Sequence, residues 1–292
     1  MAIHFSIERS GRRFRARADN GDAFFVGFET SFAERSTGET FEGLFNTPTR
    51  DLPKLIYKAD GARPSFGFWA DFIEPTSHCE GGNFLTLNTY DRAKFTWGFG
   101  QFAAHVPDGD FIHFFRDLLD RPEAADYFPN LRVENARIVK VEGDNLIPME
   151  TAQSTRPLMD FLNPTTTAIE DTEVIASAKM IHWAANVVDA RNLQVLHMVG
   201  AFKRLMREAD GRLGLDGETA DICLVICDIR HQGRAKFAAM QEALASSNPL
   251  AALLELGAHA FPDRIRTLKK EVQDRSELLG GKRWNRSSGG FV

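Results

Sequence analysis

The chain has 292 residues, of which 43% are hydrophobic and 26% are charged. This composition is typical of a globular protein, and the length suits one large domain or one domain with a substantial extension. The formal net charge of −5 gives no sign of a general attraction to nucleic acid, so an anionic polymer would have to meet a local basic patch.

No apolar segment of the chain predicts a membrane location. Met1–Arg13 lacks the apolar run of a signal peptide, and no stretch approaches the roughly 20 apolar residues that a spanning helix needs. We therefore expect a cytoplasmic protein with no stable membrane insertion. If its substrate lies in the periplasm or cell wall, a separate release or secretion step has to deliver the protein there.

The first 60 residues predict a partly β segment. Arg13–Arg17 and Phe24–Phe28 have the pattern of short strands, and an Asn-Gly turn signal between them indicates a hairpin. Gly43–Pro53 is predicted to be a loop because of its glycine and proline residues. We interpret residues 1–60 as an N-terminal β-containing extension.

An aromatic-rich helix is predicted over Ser65–Ile73, with Pro75 ending it. The following segment, Glu80–Gln101, is rich in Gly, Asn and Thr and has no helical period. It is predicted to be an ordered surface loop or a small β-excursion. Asp110–Leu119 is amphipathic and begins with a good N-cap residue, and residues 131–149 predict a second hairpin.

From residue 156 onward the pattern is helical almost throughout. The candidate helices are Arg156–Leu162, Glu170–Val188, Leu193–Arg207, Thr219–Arg230, Gly233–Ala245, Pro249–Leu256 and Pro262–Leu279. Thr219–Arg230 is predicted to be the central buried helix, because a helix that is apolar all round needs partners on every side. Its residues Cys223 and Cys227 are interpreted as buried packing thiols.

Two C-terminal segments are predicted to face solvent. The basic run Arg264–Lys270 is interpreted as a solvated helix face, and the Gly-, Ser- and Arg-rich residues 281–292 as a flexible tail. Taken together, the elements predict a mainly α fold of the α+β class. Residues 61–280 would form the main domain, after the extension at residues 1–60.

Glu80 stands in the most unusual part of the sequence. It follows the predicted aromatic helix and precedes two glycines, which places a carboxyl group at a helix end beside apolar rings. Apolar surroundings favour the protonated form, and a glycosidase acid must keep its proton near neutral pH. The alternative interpretation is that Glu80 only caps the helix or forms a local salt bridge.

The residues that follow Glu80 have features of a sugar-binding loop. Gly98 and Gly100 would let the backbone approach a ligand closely, and Gln101 offers both a donor and an acceptor to a sugar hydroxyl or acetamide. Trp97 and Tyr90 provide flat rings on which a sugar ring can stack. Each feature alone is weak, but their proximity in the chain indicates a glycan-binding segment.

This segment resembles the lysozyme-like superfamily, which includes goose-type lysozymes, lytic transglycosylases, chitosanases and many phage endolysins. These proteins share a catalytic Glu at a helix end, followed after a spacer by a Gly-rich segment that ends in Gln. Glu80 and residues 97–101 match that pattern. Residues 80–105 and 227–234 are similar to a branch of phage and bacterial peptidoglycan-hydrolase-like proteins. The resemblance spans residues 66–268, and Gly81 replaces the Ser that usually follows the Glu.

The resemblance implies a lysozyme-like, helical two-lobed catalytic domain over residues 61–280, with the glycan in a cleft between the lobes. It implies that Glu80 is the general acid. Asp91 is the candidate second carboxylate, which would activate water or stabilise positive charge at the anomeric carbon; alternatively, Asp91 only pairs with a nearby base. The residues expected to contact substrate are Asn83, Asn88, Tyr90, Trp97, Gly98, Gly100, Gln101, His105, Asp228, His231, Gln232 and Arg234.

The polar cluster at residues 228–234 follows the predicted buried helix, where the chain should reach the surface. Two interpretations stay open for it. The cluster is an ordinary helix end with capping charges, or it forms a wall of the sugar cleft.

The expected function is a glycoside hydrolase, either a muramidase or a lytic transglycosylase, that cleaves the aminosugar backbone of peptidoglycan without a metal or organic cofactor. A second hypothesis is a chitosanase- or chitinase-like hydrolase, although the basic character of residues 230–234 mildly favours peptidoglycan. A third is a non-catalytic glycan-binding or phage structural module of the same fold. The sequence leaves open the exact polymer, the stereochemical course, the biological setting and the oligomeric state.

Overall fold

The computed structural model describes residues 2–34, 37–47 and 50–292. Helices account for 45% of the residues and strands for 20%, so the fold is a mixture of α and β structure. This confirms the predicted α+β class. Contacts divide the chain into two compact units. The first comprises Met1–Ile56 and Asn83–His197, and the second comprises Tyr57–Gly82 and Met198–Val292.

The secondary structure elements are numbered in chain order. The strands are β1 (Phe5–Ser10), β2 (Arg13–Ala18), β3 (Phe24–Ala33), β4 (Thr40–Phe45), β5 (Leu87–Asn88), β6 (Thr96–Trp97), β7 (Phe102–Ala103), β8 (Leu131–Glu134), β9 (Arg137–Glu142), β10 (Asn145–Pro148), β11 (Trp284–Asn285) and β12 (Gly290–Phe291). The helices are α1 (Ala59–Phe66), α2 (Phe68–Cys79), α3 (Asp110–Leu119), α4 (Ala124–Tyr127), α5 (Arg156–Leu162), α6 (Asp171–Asn186), α7 (Val188–Leu213), α8 (Ala220–Gln232), α9 (Phe237–Leu244), α10 (Pro249–Glu255), α11 (Pro262–Asp274) and α12 (Ser276–Gly280).

The first unit contains an antiparallel sheet in which β1 to β7 lie in chain order. In β2, arginines alternate with Phe14 and Ala16, and the two apolar residues are buried. Because side chains of a strand alternate between faces, this pattern gives the sheet one apolar face, which helix α6 covers at β1, β2 and β3. The strands predicted at Arg13–Arg17 and Phe24–Phe28 are confirmed as β2 and the first half of β3.

Gly43 lies within β4 and not in the loop predicted over Gly43–Pro53. A Cβ atom at residue 43 would lie 2.7 Å from backbone and side-chain atoms of Thr89. Glycine is therefore needed here so that a neighbouring segment can approach the strand, and not to form a turn. Pro48, in the same predicted loop, lies outside the described residues.

The segment after Glu80 extends the sheet formed by the N-terminal strands. It contributes β5, β6 and β7, so the predicted small β-excursion is confirmed. Most of its apolar residues, among them Leu85, Phe95 and Phe99, are buried, which makes the alternative of a surface loop wrong. Because β4 pairs with β5, the predicted boundary at residue 60 does not separate the N-terminal strands from the residues that follow Glu80.

In the second unit, the aromatic-rich helix is longer than predicted. Gly67, with a φ of 56°, separates α1 from α2, and α2 then continues through Pro75 to Cys79. The prediction that Pro75 ends the helix is therefore wrong. A proline removes one backbone donor, but residues 69–77 of α2 are all buried, so tertiary packing outweighs the local propensity.

The C-terminal residues are ordered and do not form the predicted flexible tail. Strands β11 and β12 pair as a hairpin, and the rings of Trp284 and Phe291 contact Trp69 of α2. The composition of this segment indicates mobility, but its two aromatic residues dock in the core. All the tryptophans of the chain are buried, with Trp97 and Trp183 in the first unit and Trp69 and Trp284 in the second.

Helix α8 is the buried helix that the sequence predicts. Residues 223–229 are all buried, and the thiols of Cys223 and Cys227 are free. Burial raises the pKa of both thiols, which is consistent with a packing role. Within the described ranges, no helix is both long enough and apolar enough to cross a membrane.

A buried carboxyl group connects α6 to the sheet of the first unit. Oε1 of Glu173 accepts hydrogen bonds from the Thr89 hydroxyl and from the backbone N–H of Leu44. Burial raises the pKa of Glu173 from its ordinary value of 4.5 to about 7, although the hydrogen bonds act in the opposite direction. Oε2 of Glu173 has no hydrogen-bond partner among the described residues.

We expect the stability of the protein to fall as the pH rises from 4.5 to about 7. In this window the folded state keeps a proton on Glu173 that the unfolded state has lost, and above it the folded state must bury a charge. The expected loss in the free energy of unfolding is on the order of 3 kcal/mol. Urea unfolding of Glu173→Gln should lack this pH dependence, and the variant should be more stable than wild type above neutral pH.

Glu142→Gln is the matched control, because it removes an exposed carboxyl group from the same unit. This variant should keep the wild-type pH profile. Identical profiles for Glu173→Gln and wild type would contradict the expectation.

Candidate active site

Glu80 lies at the C-terminal end of α2, where the sequence predicts it. Its backbone N–H donates to the carbonyls of Ser77 and Thr76, at 3.1 and 3.3 Å. Gly81 and Gly82 follow with φ values of 87° and 65°, which favour glycine and turn the chain away from the helix axis. The Glu80 side chain, which is 19% exposed, therefore leaves the helix at a defined point beside accessible space.

The carboxyl group of Glu80 is held through one of its two oxygens. Nη1 of Arg264 donates a hydrogen bond to Oε1 of Glu80. In the described part of the chain, Oε2 of Glu80 has no hydrogen-bond partner. One oxygen is thus anchored while the other remains available to exchange a proton with a ligand.

A buried ion-pair chain, formed by Arg264, Asp228 and Arg234, stands behind Glu80. Nη2 of Arg264 lies 2.7 Å from Oδ1 of Asp228, and Nη1 of Arg234 lies 2.6 Å from Oδ2. The side chains of Asp228 and Arg234 are 0% exposed and that of Arg264 is 9% exposed. Burial alone would raise the pKa of Asp228, but the two guanidinium groups lower it below its ordinary value, so Asp228 remains a carboxylate.

Local backbone geometry brings the members of this chain together. Asp228 lies near the end of α8, which Gly233 terminates with a φ of 77°, and Arg234 follows directly. Nε of Arg234 donates to the carbonyl of Leu256 at 3.0 Å. A Cβ at Gly257 would lie 2.8 Å from Cδ of Arg234, so glycine leaves the space that the buried arginine occupies.

The predicted polar cluster at residues 228–234 is connected to Glu80 through His231 and through the buried ion-pair chain. Nε2 of His231 lies 3.9 Å from Oε1 of Glu80, and Oε1 of Gln232 accepts a hydrogen bond from Arg234 at 3.0 Å. Of the predicted contact residues in this cluster, His231 therefore lies next to Glu80, whereas Asp228, Arg234 and Gln232 are connected to it through Arg264. Arg230 instead forms an ion pair with Glu208 and lies over the ring of Phe237.

The surroundings of Glu80 are more polar than the sequence predicts. The guanidinium group of Arg264 contacts the carboxyl group, and the imidazole of His231 lies 3.9 Å from it. The sequence interpretation missed Arg264 because it lies in a basic run whose other members, such as Arg266 and Lys269, are exposed. Burial raises the pKa of the neighbouring Cys79 thiol to about 12, which makes it a poor nucleophile.

Trp97 is not a stacking platform for a sugar. Its side chain is 1% exposed, and it pairs with Leu87 and Phe102 within the sheet of the first unit. A ring that solvent cannot reach has no face to offer to a ligand, so this prediction is wrong. An aromatic residue in a Gly-rich segment has the same local sequence whether it lines a cleft or fills a core.

The glycines around residue 99 accommodate a protein side chain and not a ligand. A Cβ at Gly98 would collide with the amide of Gln194, which is buried and accepts a hydrogen bond from the N–H of Phe99 at 3.3 Å. Gly100 is buried in the same turn. The prediction that these two glycines let the backbone approach a sugar is therefore not supported by their placement, and Gln194 is the residue that the sequence analysis missed.

Several other predicted contact residues of the first unit have internal roles. Asn83 is buried and bonds to the carbonyl of Pro53 and the N–H of Leu85. Oδ1 of Asn88 is buried without a hydrogen-bond partner among the described residues. Tyr90 is half-buried, with its ring against Phe45 at 5.8 Å.

The remaining predicted residues of the first unit are more accessible. Oδ1 of Asp91 accepts a hydrogen bond from the N–H of Ala93 at 2.8 Å, as in a turn. The amide nitrogen of Gln101 donates to the carbonyl of Gly98 at 3.0 Å. His105 is exposed. Asp91 and Gln101 are therefore partly engaged within their own turns.

No family model matches the chain, and no curated protein or solved structure matches it significantly. Across the described residues, no group of three or more His, Cys, Asp or Glu side chains is arranged to hold a metal ion.

Removing the central carboxylate of the buried ion-pair chain should strongly destabilise the protein. Asp228→Ala leaves two guanidinium groups buried without their shared partner, and we expect a loss of about 3–5 kcal/mol in the free energy of unfolding. Chemical denaturation measures this change. Asp274→Ala, which breaks the exposed pair with Lys270, is the matched control and should leave the unfolding midpoint unchanged. Equal effects of the two variants would show that the buried chain has no special role in stability.

Proposed function

We propose that this chain is a lysozyme-like glycosidase that cleaves the aminosugar backbone of peptidoglycan, as a muramidase or a lytic transglycosylase, with Glu80 as the proton donor. The proposal rests on the position and the contacts of the Glu80 carboxyl group. It ends a helix, it is anchored at Oε1 by Arg264, and its Oε2 is unoccupied in a partly exposed position.

This arrangement suits the proton transfer that breaks a glycosidic bond. A proton on Oε2 would pass to the leaving glycosidic oxygen, which also takes the electrons of the broken bond. The anomeric carbon would then bond to the oxygen of water in a muramidase, or to a hydroxyl oxygen of the same sugar in a lytic transglycosylase, and the proton of that nucleophile would return to Glu80. The first transfer leaves a carboxylate on Glu80, and Arg264 already lies where this negative charge develops. Because Asp228 fixes Arg264 before the reaction, the stabilisation requires no rearrangement at the moment of transfer.

The charges around Glu80 favour a glycan that is not cationic. Besides Glu80 and Asp228, the site contains Arg234, Arg264 and the imidazole of His231. A chitosanase has to attract the ammonium groups of glucosamine, for which a surplus of carboxylates is expected. Acetylated aminosugars, as in peptidoglycan, have no such requirement.

A non-catalytic glycan-binding module is the second candidate. The ion pair between Arg264 and Glu80 favours it, because a carboxyl group that is fixed by a guanidinium group can hold a sugar without any proton transfer. In this alternative, Glu80 and His231 would accept and donate hydrogen bonds to sugar hydroxyls without any bond cleavage.

The test is digestion of purified peptidoglycan, with the products identified by mass spectrometry. We expect wild type to release muropeptides and Glu80→Gln to release none while keeping the wild-type unfolding midpoint. Glu277→Gln, which changes an exposed glutamate of the same unit, is the control and should retain full activity. Reducing ends in the products would identify a hydrolase, and anhydro ends a transglycosylase.

Two results would overturn the proposal. Full activity of Glu80→Gln would remove Glu80 from the chemistry. Glycan binding by wild type without any product from peptidoglycan, chitin or chitosan would support the binding module instead.

A further inference from the structure

The second unit contains a pocket of about 480 Å³ that has no part in the site around Glu80. Its lining residues are Arg207, Asp210, Gly211, Gly214, Trp284, Arg286 and Gly289. They come from the last turns of α7 and from the β11–β12 hairpin. Trp284 contacts Trp69 at the start of α2, whereas Glu80 follows the end of that helix. At 1.5 Å per residue, the helix separates the two places by about 16 Å.

Arg286 is a fixed cation in this pocket. Its Nε and Nη2 atoms donate to the two oxygens of Asp210, at 2.7 and 2.8 Å, in the bidentate geometry that suits a carboxylate. Asp210 is buried and also accepts a hydrogen bond from the N–H of Leu215 at 2.8 Å. These contacts hold the guanidinium plane of Arg286 in one orientation at the pocket wall.

Arg207 is a second cation, and its charge is not compensated. In the part of the chain that the structure describes, Arg207 has no ion-pair or hydrogen-bond partner. Nη2 of Arg207 lies 4.0 Å from the position that a Cβ at Gly289 would take, which places the guanidinium group beside the turn of the β11–β12 hairpin. Arg207 can therefore rotate to meet a ligand without breaking an existing contact.

Trp284 adds a hydrogen-bond donor at the base of the pocket. The indole is buried beside the Asp210 carboxylate, with which its N–H interacts, but no acceptor among the described residues completes a hydrogen bond of good geometry to Nε1. A ligand oxygen at the base of the pocket could complete such a bond.

The charges of the lining select the kind of ligand. Arg207 and Arg286 each contribute one positive charge, and the carboxylates of Asp210 and Asp216 both lie against Arg286. These two carboxylates repel a phosphate dianion more strongly than a monoanion, so the lining favours a singly charged anion.

We propose that this pocket binds the carboxylate of a peptide-like ligand, with Arg207 and Arg286 as its cationic partners and the Trp284 N–H as donor to a neighbouring carbonyl. The planar carboxylate matches the guanidinium fork of an arginine. If the chain acts on peptidoglycan, as proposed above, the pocket would hold the acidic end of a peptide attached to the glycan. The binding itself requires neither Glu80 nor glycan cleavage.

The test is titration of the full chain with N-acetyl-D-alanine. Binding is monitored by calorimetry and, separately, by the indole N–H signals in ¹⁵N–¹H correlation spectra. We expect saturable binding and a shift of one indole signal, which the spectrum of Trp284→Phe assigns. Arg207→Gln should weaken the binding by roughly tenfold or more, because a charge-assisted contact is lost. Arg266→Gln removes one exposed positive charge elsewhere in the unit and should bind like wild type.

Inorganic phosphate provides the competing probe. Tighter binding of phosphate than of N-acetyl-D-alanine would overturn the carboxylate assignment, and so would the absence of saturable binding or equal binding by Arg207→Gln. Glu80→Gln should bind the probe like wild type. An inactive protein that still binds N-acetyl-D-alanine would therefore contradict the proposed function alone, and an active protein that does not bind it would contradict the pocket assignment alone.

Discussion

The buried carboxylate of Asp228 constrains how the helices of the second unit pack. Moving an ionised carboxylate such as Asp228 out of water costs several kcal/mol, so the folded state must bring a cation to each of its oxygens. One cation, Arg234, follows the turn at Gly233 that ends α8, and the other, Arg264, lies in the first turn of α11. Arg264 uses its other terminal nitrogen to hold the carboxyl group of Glu80, so the same buried charge also fixes the partner of Glu80.

Stability alone is a weak reason for such an arrangement. Apolar side chains of similar volume often replace a buried ion pair without loss of stability. A better explanation is orientation, because an arginine that is fixed on one side by Asp228 presents the rest of its guanidinium group in a single direction. The guanidinium group contacts the partly exposed Glu80 in that direction, and the imidazole of His231 lies 3.9 Å from the same carboxyl group.

The features that depend on sequence neighbours were predictable. The turn at the two glycines after Glu80, the buried α8 and the strands β2 and β3 each follow from a local pattern of apolar residues, glycines and turn residues. Features that depend on contacts between residues far apart in the chain were not predictable. Arg264 differs from the exposed bases around it only because Asp228, in another helix, accepts its hydrogen bond.

The same limit explains the errors in the first unit. The Gly-rich segment around Trp97 has a composition that suits a ligand-binding loop, but Gln194, far along the chain, packs against Gly98 and closes the turn. Gly43 likewise belongs to a strand because Thr89 approaches it. A glycine lets another group lie close to the backbone, but the sequence does not show whether that group is a ligand or a distant part of the same chain.

The burial of all the tryptophans has an optical consequence. Two of them report on each unit, with Trp97 and Trp183 in the first and Trp69 and Trp284 in the second. Indole emission moves to longer wavelength when water reaches the ring, so the fluorescence of the native protein should change strongly on unfolding. Replacing either pair by phenylalanine leaves a spectroscopic reporter for one unit only, and two such variants would resolve whether the units lose their structure in one cooperative transition or in two.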